Sequence, residues 1–216
     1  MTTPLLEAKG LFKSFGRVQA LRGADFTINA GEIVALVGDN GAGKSTLVKV
    51  LSGVHSADKG QIMLDGEEVT ALTPIKARQL GMETVYQDLA LAPTLDPVAN
   101  LFLGREILRS GLAGLLGFLD KGAMRNQALS KFADLNIKIQ DVNAPISTMS
   151  GGQRQGVAVC RAAVWARKII FLDEPTAALD PQARRNLWDV LRAINAEGRP
   201  SAASIRATIR SQVSTS

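Results

Sequence analysis

The pattern with the clearest chemical meaning is a glycine-rich stretch between a short apolar run and a segment without helix breakers. Residues 38–45 read Gly-Asp-Asn-Gly-Ala-Gly-Lys-Ser and fit G-x-x-x-x-G-K-[ST]. Glycines let backbone N–H groups turn toward an anion, and the following helix start adds partial positive charge. We therefore expect a polyphosphate-binding loop, in which Lys44 reaches the β- and γ-phosphates and Ser45 ligates Mg²⁺. The residues expected to contact the phosphates are Gly38, Asp39, Asn40, Gly41, Ala42, Gly43, Lys44, Ser45 and Thr46.

Two carboxylates follow a second apolar run, Ile169–Leu172. A buried strand that ends there would place Asp173 at the carboxyl edge of a parallel sheet, beside the phosphate loop, where it would hold Mg²⁺ through water. Glu174 is then placed to orient or deprotonate an attacking water. A strand that simply ends in solvated acids is the alternative that these residues alone leave open.

A second anion-binding turn is predicted at Ser150, Gly151, Gly152 and Gln153, immediately before a helix-compatible segment. One nucleotide has one γ-phosphate, so two such sites in one domain predict a head-to-tail dimer. In that dimer the Ser150 turn of each protomer closes on the nucleotide of the other. Taken alone, such a turn is more often a plain loop.

The elements that must position these groups follow a β–α alternation. Ile33–Val37 and Lys168–Leu172 are apolar runs typical of strands buried on both faces. Thr73-Pro74 and Asp180-Pro181 predict helix starts, because each pairs a capping residue with proline at the first helical position. Helical spacing without strand signals predicts an insert over about 88–150. We expect an α/β fold of the P-loop NTPase type, with a parallel core sheet, an N-terminal antiparallel β-subdomain and a helical insert.

Composition and charge limit the classes of function. The net charge is +5, but residues 199–216 carry +3 of it, so the rest of the chain offers weak grounds for a nucleic-acid surface. A single cysteine, Cys160, excludes an internal disulfide framework, and a single histidine, His55, excludes a multi-histidine metal site. We expect His55 to be a surface or packing residue. Leu108–Leu119 is apolar and glycine-rich, and we interpret it as a packed turn or partner-facing surface.

Together the phosphate loop, the Asp173-Glu174 pair and the Ser-Gly-Gly-Gln turn resemble the ATP-binding cassette (ABC) ATPases, for which that turn is the signature motif. The resemblance implies ATP and Mg²⁺ as cofactors. It also implies that Gln87 senses Mg²⁺ and the γ-phosphate, and that Asp180 lies at the dimer seam. Phe15 sits where the family places the aromatic side chain that stacks on adenine, with Val18 nearby.

The stretches Glu83–Leu91, Asn100–Glu106 and Val50–His55 further resemble the ATPases of bacterial simple-sugar importers of the fructose and ribose kind. That resemblance implies a cytoplasmic ATPase, peripheral on the inner face of the cell membrane. Its implied partners are a second ATPase protomer, membrane permease subunits touched through residues 88–104 and, indirectly, a periplasmic sugar-binding protein. Two alternatives are a nucleotide-binding subunit without turnover and an ABC ATPase acting on nucleic acid. The second is disfavoured by a single cassette without a coiled-coil arm.

The resemblance ends at Gly198. The family continues with a strand and a histidine that contacts the γ-phosphate, whereas residues 199–216 are rich in serine, alanine and arginine and contain no histidine. We expect a cassette domain over 1–198, truncated by a frameshift, followed by an aberrant, disordered tail. A sequencing error and a genuine divergent terminus are the alternatives. On this hypothesis the central strand before the histidine is missing, because Arg206 and Arg210 suit a buried strand poorly. Hydrolysis should then suffer more than nucleotide binding.

Overall fold

The computed structural model describes residues 3–37, 39, 41–86, 88–173, 181–196 and 205–208. These residues fall into two compact units. The first comprises the described parts of Met1–Thr84, Ala166–Asp173 and Asn195–Ser216, and the second comprises those of Val85–Trp165 and Glu174–Ile194. None of the described helices combines the length and the apolar character needed to cross a bilayer.

Strands and helices alternate through most of the described chain. The strands are β1 Leu6–Phe15, β2 Val18–Ile28, β3 Val34–Val37, β4 Lys59–Leu64, β5 Glu67–Glu68, β6 Met82–Val85, β7 Ile169–Leu172 and β8 Ile205–Thr208. The helices are α1 Lys44–Leu51, α2 Pro74–Gln79, α3 Pro97–Phe102, α4 Leu112–Leu115, α5 Lys121–Asp134, α6 Gly151–Trp165 and α7 Pro181–Ala196, with a 3₁₀ turn at Ile146–Thr148.

An antiparallel sheet of order β2-β1-β4-β5 forms the N-terminal part of the first unit. Its strands are held in register by pairs such as Leu6 with Ile28 and Leu6 with Leu64, all three of which are buried. Helix α1 contributes its apolar side, including Leu47 and Leu51, to the same core. The predicted antiparallel β-subdomain and the mixed α/β architecture are therefore confirmed.

The prediction that the central strand is missing is wrong for the described part of the tail. Strand β8 runs parallel to β3, with Val34 opposite Ile205 and Val37 opposite Thr208, and it also contacts β7. The prediction weighed only the charged side chains. A parallel partner for β3 also gives hydrogen bonds to backbone groups that a buried strand edge would leave unpaired. Residues 199–204 and 209–216, which were predicted to be disordered, lie outside the described residues.

Helices dominate the second unit, where α3 packs against α5 and α6, and α5 packs against α6. The side chains of Asp96 and Asp120 cap α3 and α5 by accepting a backbone N–H bond three residues on. At the end of α6, the indole N–H of Trp165 donates to Leu101 O at 2.9 Å. The predicted insert over about 88–150 falls inside this unit, and its boundaries stay a prediction.

The apolar segment Leu108–Leu119 is a closed hairpin in the second unit. A β-bridge joins Leu108 to Leu119, and Arg109 N donates to Phe118 O at 2.9 Å. Its leucines are not packed: Leu112 is 74 % exposed and Leu115 is 85 % exposed. The prediction of a packed turn is therefore wrong, and the alternative of a partner-facing surface stays open.

Candidate nucleotide-binding site

The phosphate loop joins β3 to α1 through two glycines in left-handed conformation. Gly41 has φ +88° and Gly43, the residue at the helix N-cap, has φ +82°. A Cβ on Gly43 would lie 2.3 Å from the carbonyl oxygen of Ala20 in β2, so no larger residue fits there without moving backbone. Gly38 and Asn40 lie outside the described residues.

The loop has the features that a polyphosphate requires. Gly43 offers no side chain to cap the first turn of α1, so this helix start keeps its partial positive charge directed at the loop. Lys44 reaches back across the loop and donates from Nζ to Asp39 O at 2.8 Å. Ser45 and Thr46 follow in the first turn, both partly exposed. A loop in which Gly41 and Gly43 carry no Cβ, together with an ammonium group and a helix start, fits a chain of phosphates.

Asp173 follows β7 directly and is only 8 % exposed. Strand β8 pairs with β3 and contacts β7, so the strand before the phosphate loop and the strand before Asp173 share a neighbour. A buried carboxylate is costly without a compensating partner, and a divalent cation is one such partner. The Ser45 hydroxyl and the Asp173 carboxylate are the hard oxygen donors that Mg²⁺ prefers. Among the described residues, no three or more histidine, cysteine or acidic side chains cluster as metal ligands.

Phe15 and Val18 close the hairpin between β1 and β2, where they face each other in register. Both side chains are exposed, and 44 % of the Phe15 surface is accessible. The Phe15 ring contacts the ring of His55, with centroids 5.1 Å apart and planes at 70°. An accessible ring is what stacking on a base requires. Sequence reasoning placed Phe15 here but missed the contribution of His55.

The Ser-Gly-Gly-Gln turn forms the start of α6 in the second unit, as a reciprocal capping box. Gln153 N donates to Ser150 Oγ at 3.2 Å, and Ser150 N donates to Gln153 Oε1 at 3.0 Å. Ser150 and Gly151 are exposed, while Gly152 and Gln153 are partly buried. The turn is therefore a folded helix start in its own right, accessible to an anion.

Three further predicted site residues, Gln87, Glu174 and Asp180, lie outside the described residues. The first unit brings the phosphate loop into contact with β2 at Ala20, on the strand that begins at Val18. The Ser-Gly-Gly-Gln turn belongs to the second unit.

Sequence reasoning missed two side chains that shape the segment after Gln87. Arg161 donates to the carbonyl oxygens of Leu89 and Ala90, at 3.1 and 2.9 Å. Both residues have positive φ, at +60° and +45°, which is a strained backbone for residues with a Cβ. Such strain is concentrated at functional sites and persists only where neighbouring groups hold it.

Asn100 is the second of these side chains, and it is fully buried on α3. Its Oδ1 accepts from Ala92 N at 2.7 Å, and its Nδ2 lies within hydrogen-bond distance of the carbonyl oxygens of Ala92, Leu95 and Asp96. One signal in the sequence could have indicated this role, because Asn100 is the only amide among the apolar residues of α3. A buried amide side chain is usually hydrogen-bonded, here to backbone groups of the adjoining loop.

Comparison with known proteins agrees with this geometry. Residues 21–177 match the ABC transporter family. The fructose import ATP-binding protein FrcA of Rhizobium meliloti is 47 % identical over 199 residues, which cover 91 % of this chain and 76 % of FrcA. The xylose/arabinose import ATP-binding protein XylG of Sulfolobus acidocaldarius is 45 % identical over 194 residues, covering 90 % of this chain and 75 % of XylG.

Solved structures show the same fold at lower identity. MJ1267 in its ADP conformation, an ATP-binding cassette of an ABC transporter, superposes with a TM-score of 0.77 at 24 % identity, over 96 % of this chain and 81 % of that one. The ATP-binding cassette MJ0796, in a dimeric post-hydrolysis state bound to ADP and Pi, gives 0.76 at 24 % identity, over 93 % and 87 %. With its phosphate loop, its signature turn and these relatives, the chain belongs to the ABC transporter family as an ATP-binding cassette.

Proposed function

We propose that this chain is the ATP-binding and ATP-hydrolysing subunit of an ABC importer for a simple sugar. The observation that carries the proposal is the phosphate loop, whose left-handed Gly43 is packed against Ala20 and followed by Lys44 and Ser45. The assignment of a simple sugar as the transported substrate is based on FrcA and XylG, which are named as import ATP-binding proteins for fructose and for xylose/arabinose.

Each predicted site residue has a distinct part in binding and hydrolysis. The start of α1 and Lys44 hold the phosphates, and Ser45, Asp173 and Gln87 would hold Mg²⁺. When bound, this ion neutralises charge on the β- and γ-phosphate oxygens. Glu174 orients the attacking water and accepts its proton.

The complete site requires a second copy of the chain. The signature turn of one protomer, from Ser150 to Gln153, closes on the γ-phosphate of a nucleotide bound by its partner, and Asp180 lies at the seam. The exposure of Ser150 and Gly151 at the start of α6 supports this assignment, because an anion can reach the helix start there. Phe15 stacks on adenine, with Val18 beside it.

The remaining partners follow from import. A permease dimer in the membrane receives the cassette through residues 88–104, and a periplasmic sugar-binding protein delivers the sugar to that permease. The cassette itself acts at the cytoplasmic face. The hydrogen bonds from Arg161 and Asn100 support this assignment, since they hold the 89–96 segment in one backbone conformation.

ATP binding and turnover by the purified 216-residue chain test the enzymatic part. We expect Lys44→Ala to abolish ATP binding. The matched control is Lys49→Ala, a change of the same side chain one and a half turns later on α1, which should bind ATP normally. Glu174→Gln should bind ATP without hydrolysing it. If Lys44→Ala and Lys49→Ala bind ATP equally well, the phosphate-loop assignment is wrong.

One observation favours a second candidate, a nucleotide-binding subunit with little turnover. Residues 197–216 contain no histidine, whereas the resemblance implies one after α7 that contacts the γ-phosphate. Measuring ATP affinity and turnover on one sample, beside FrcA, separates the two candidates. Tight binding with turnover far below that of FrcA supports the second candidate, and matching turnover contradicts it.

Sugar import is tested in cells. A strain that lacks this chain should lose uptake of one radiolabelled sugar among fructose, ribose, xylose and arabinose, and regain it when the chain is restored. Restoration with the Lys44→Ala variant should fail. Unchanged uptake of all four sugars would contradict the assignment to simple-sugar import without affecting the assignment of ATP binding.

A further inference from the structure

The aromatic contact between Phe15 and His55 is the feature that the proposed function leaves unused. We propose that His55 is a positioning residue, which holds the Phe15 ring where it can stack on the base of ATP. This inference rests on the proposed function, and it concerns only the part of the ATP affinity that depends on the base.

An imidazole ring and an ammonium group lie next to the Phe15 side chain. It is 44 % exposed at the end of a hairpin. The His55 ring meets it at 5.1 Å in a T-shaped arrangement, and the Lys13 ammonium lies 5.6 Å from its centroid. An exposed phenylalanine without such contacts would exchange among staggered rotamers. Fixing it before the base arrives removes an ordering cost from binding.

The His55 backbone is itself attached to the helix that follows the phosphate loop. Its N–H donates to Lys49 O at 3.1 Å, and Val54 N donates to the same oxygen at 2.8 Å. Both bonds end on α1, whose first turn carries Lys44 and Ser45. The histidine ring therefore links the position of Phe15 to the position of the phosphate loop.

Asp58 completes the connection on the other side. Its Oδ1 accepts from Lys13 Nζ at 2.8 Å, its Oδ2 accepts from Ser14 N at 2.7 Å, and its backbone N–H donates to Phe12 O at 2.8 Å. The segment that carries His55 is thereby held against the end of β1. The ring contact is consequently a fixed part of the first unit, built by residues on both sides of it.

The experiment compares the affinity for ATP with the affinity for inorganic triphosphate, which has no base. Stacking of an aromatic side chain on a base contributes about 1–3 kcal/mol, so Phe15→Ala should weaken ATP binding at least about fivefold. An aromatic pair contributes about 0.5–1.5 kcal/mol, so His55→Ala should weaken ATP binding by a factor between about 2 and 13. Neither variant should change triphosphate binding. Ser56→Ala, one residue away and exposed, is the matched control and should leave both affinities unchanged.

Two more variants distinguish positioning from a general structural role. Because His55 acts through Phe15, His55→Ala should have no further effect on ATP affinity in a Phe15→Ala background. His55→Phe keeps an aromatic ring and should restore most of the ATP affinity, whereas His55→Leu should not. If His55→Ala does not fold, His55→Leu takes its place as the variant without a ring, because leucine retains side-chain bulk.

Additive effects of the two alanine substitutions would overturn the inference, and so would equal losses of ATP and triphosphate affinity in His55→Ala. Full affinity in His55→Leu would overturn it as well, because a ring would then be unnecessary. If the unaltered chain binds neither ATP nor triphosphate, the proposed function itself fails. These outcomes keep the two failures apart.

Discussion

Substituting alanine at the two described left-handed glycines of the phosphate loop tests the steric argument for this loop. Gly41 and Gly43 have similar φ angles, +88° and +82°. A Cβ on Gly41 would meet no atom within 4 Å, whereas one on Gly43 would lie 2.3 Å from Ala20 O and 3.1 Å from Leu21 Cδ2. The two substitutions therefore share the cost of the left-handed conformation and differ only in the collision.

The magnitudes follow from that difference. A left-handed alanine costs about 1–2 kcal/mol, so Gly41→Ala should lower Tm by about 2–8 °C. Relief of the collision at Gly43 requires movement of backbone, which adds about 1–3 kcal/mol and brings the total to about 2–5 kcal/mol, or about 4–20 °C. The added displacement also moves Lys44, so ATP affinity should fall further in Gly43→Ala than in Gly41→Ala.

Thermal denaturation followed by circular dichroism measures the change in Tm. Titration with a fluorescent ATP analogue, 10 °C below the lower of the two Tm values, measures the change in ATP affinity. Equal Tm values for the two variants would refute the steric reasoning. A greater loss of ATP affinity in Gly41→Ala would refute the inference that the packing of Gly43 against Ala20 positions the loop.

Three further predictions concern other parts of the chain. Asn100→Leu leaves Ala92 N and neighbouring carbonyl groups without their partner, so the free energy of unfolding in urea should fall by about 1–3 kcal/mol. Burial raises the pKa of the Cys160 thiol to about 12, so a thiol reagent at pH 8 should modify it only after unfolding. Hydrogen bonds from Lys13 and from a backbone N–H hold the pKa of Asp58 below its ordinary value of 3.8. Its stabilisation is present above that value and is lost as the pH falls through the lower folded pKa, so the stability difference between Asp58→Asn and the unaltered chain should vanish in strong acid.

Local signals in the sequence were sufficient for much of the fold. The two apolar runs predicted β3, where Val34 and Leu36 are partly buried, and β7, which is buried throughout. The pairing of Thr73 with Pro74 predicted the start of α2, where Lys76 N donates to Thr73 Oγ1 at 3.2 Å. Leu187, Leu191 and Ile194 recur at helical spacing along α7, and all three are buried. These signals succeed because capping and periodicity depend on residues a few positions apart.

Contacts between residues far apart in the sequence could not be predicted from such local signals. The prediction about this strand rested on Arg206 and Arg210, of which only Arg206 lies in β8. The backbone of β3, roughly 170 residues earlier, supplies the hydrogen bonds that favour the strand. In the candidate site, the glycine loop was predicted from spacing alone. His55 looked like an ordinary packing residue, because its contact with Phe15 spans forty positions and carries no periodic pattern.

The Leu108–Leu119 hairpin has a practical consequence for any preparation of this chain by itself. Its backbone is closed by hydrogen bonds, and the side chains of Leu112, Leu115 and Leu116 are exposed. In water these side chains expose apolar surface, and exposed apolar surface promotes association between molecules. The isolated subunit should accordingly aggregate at high concentration, and Leu115→Gln should raise its solubility without altering its Tm by more than about 2 °C, because an exposed substitution changes stability by about 0.5 kcal/mol or less.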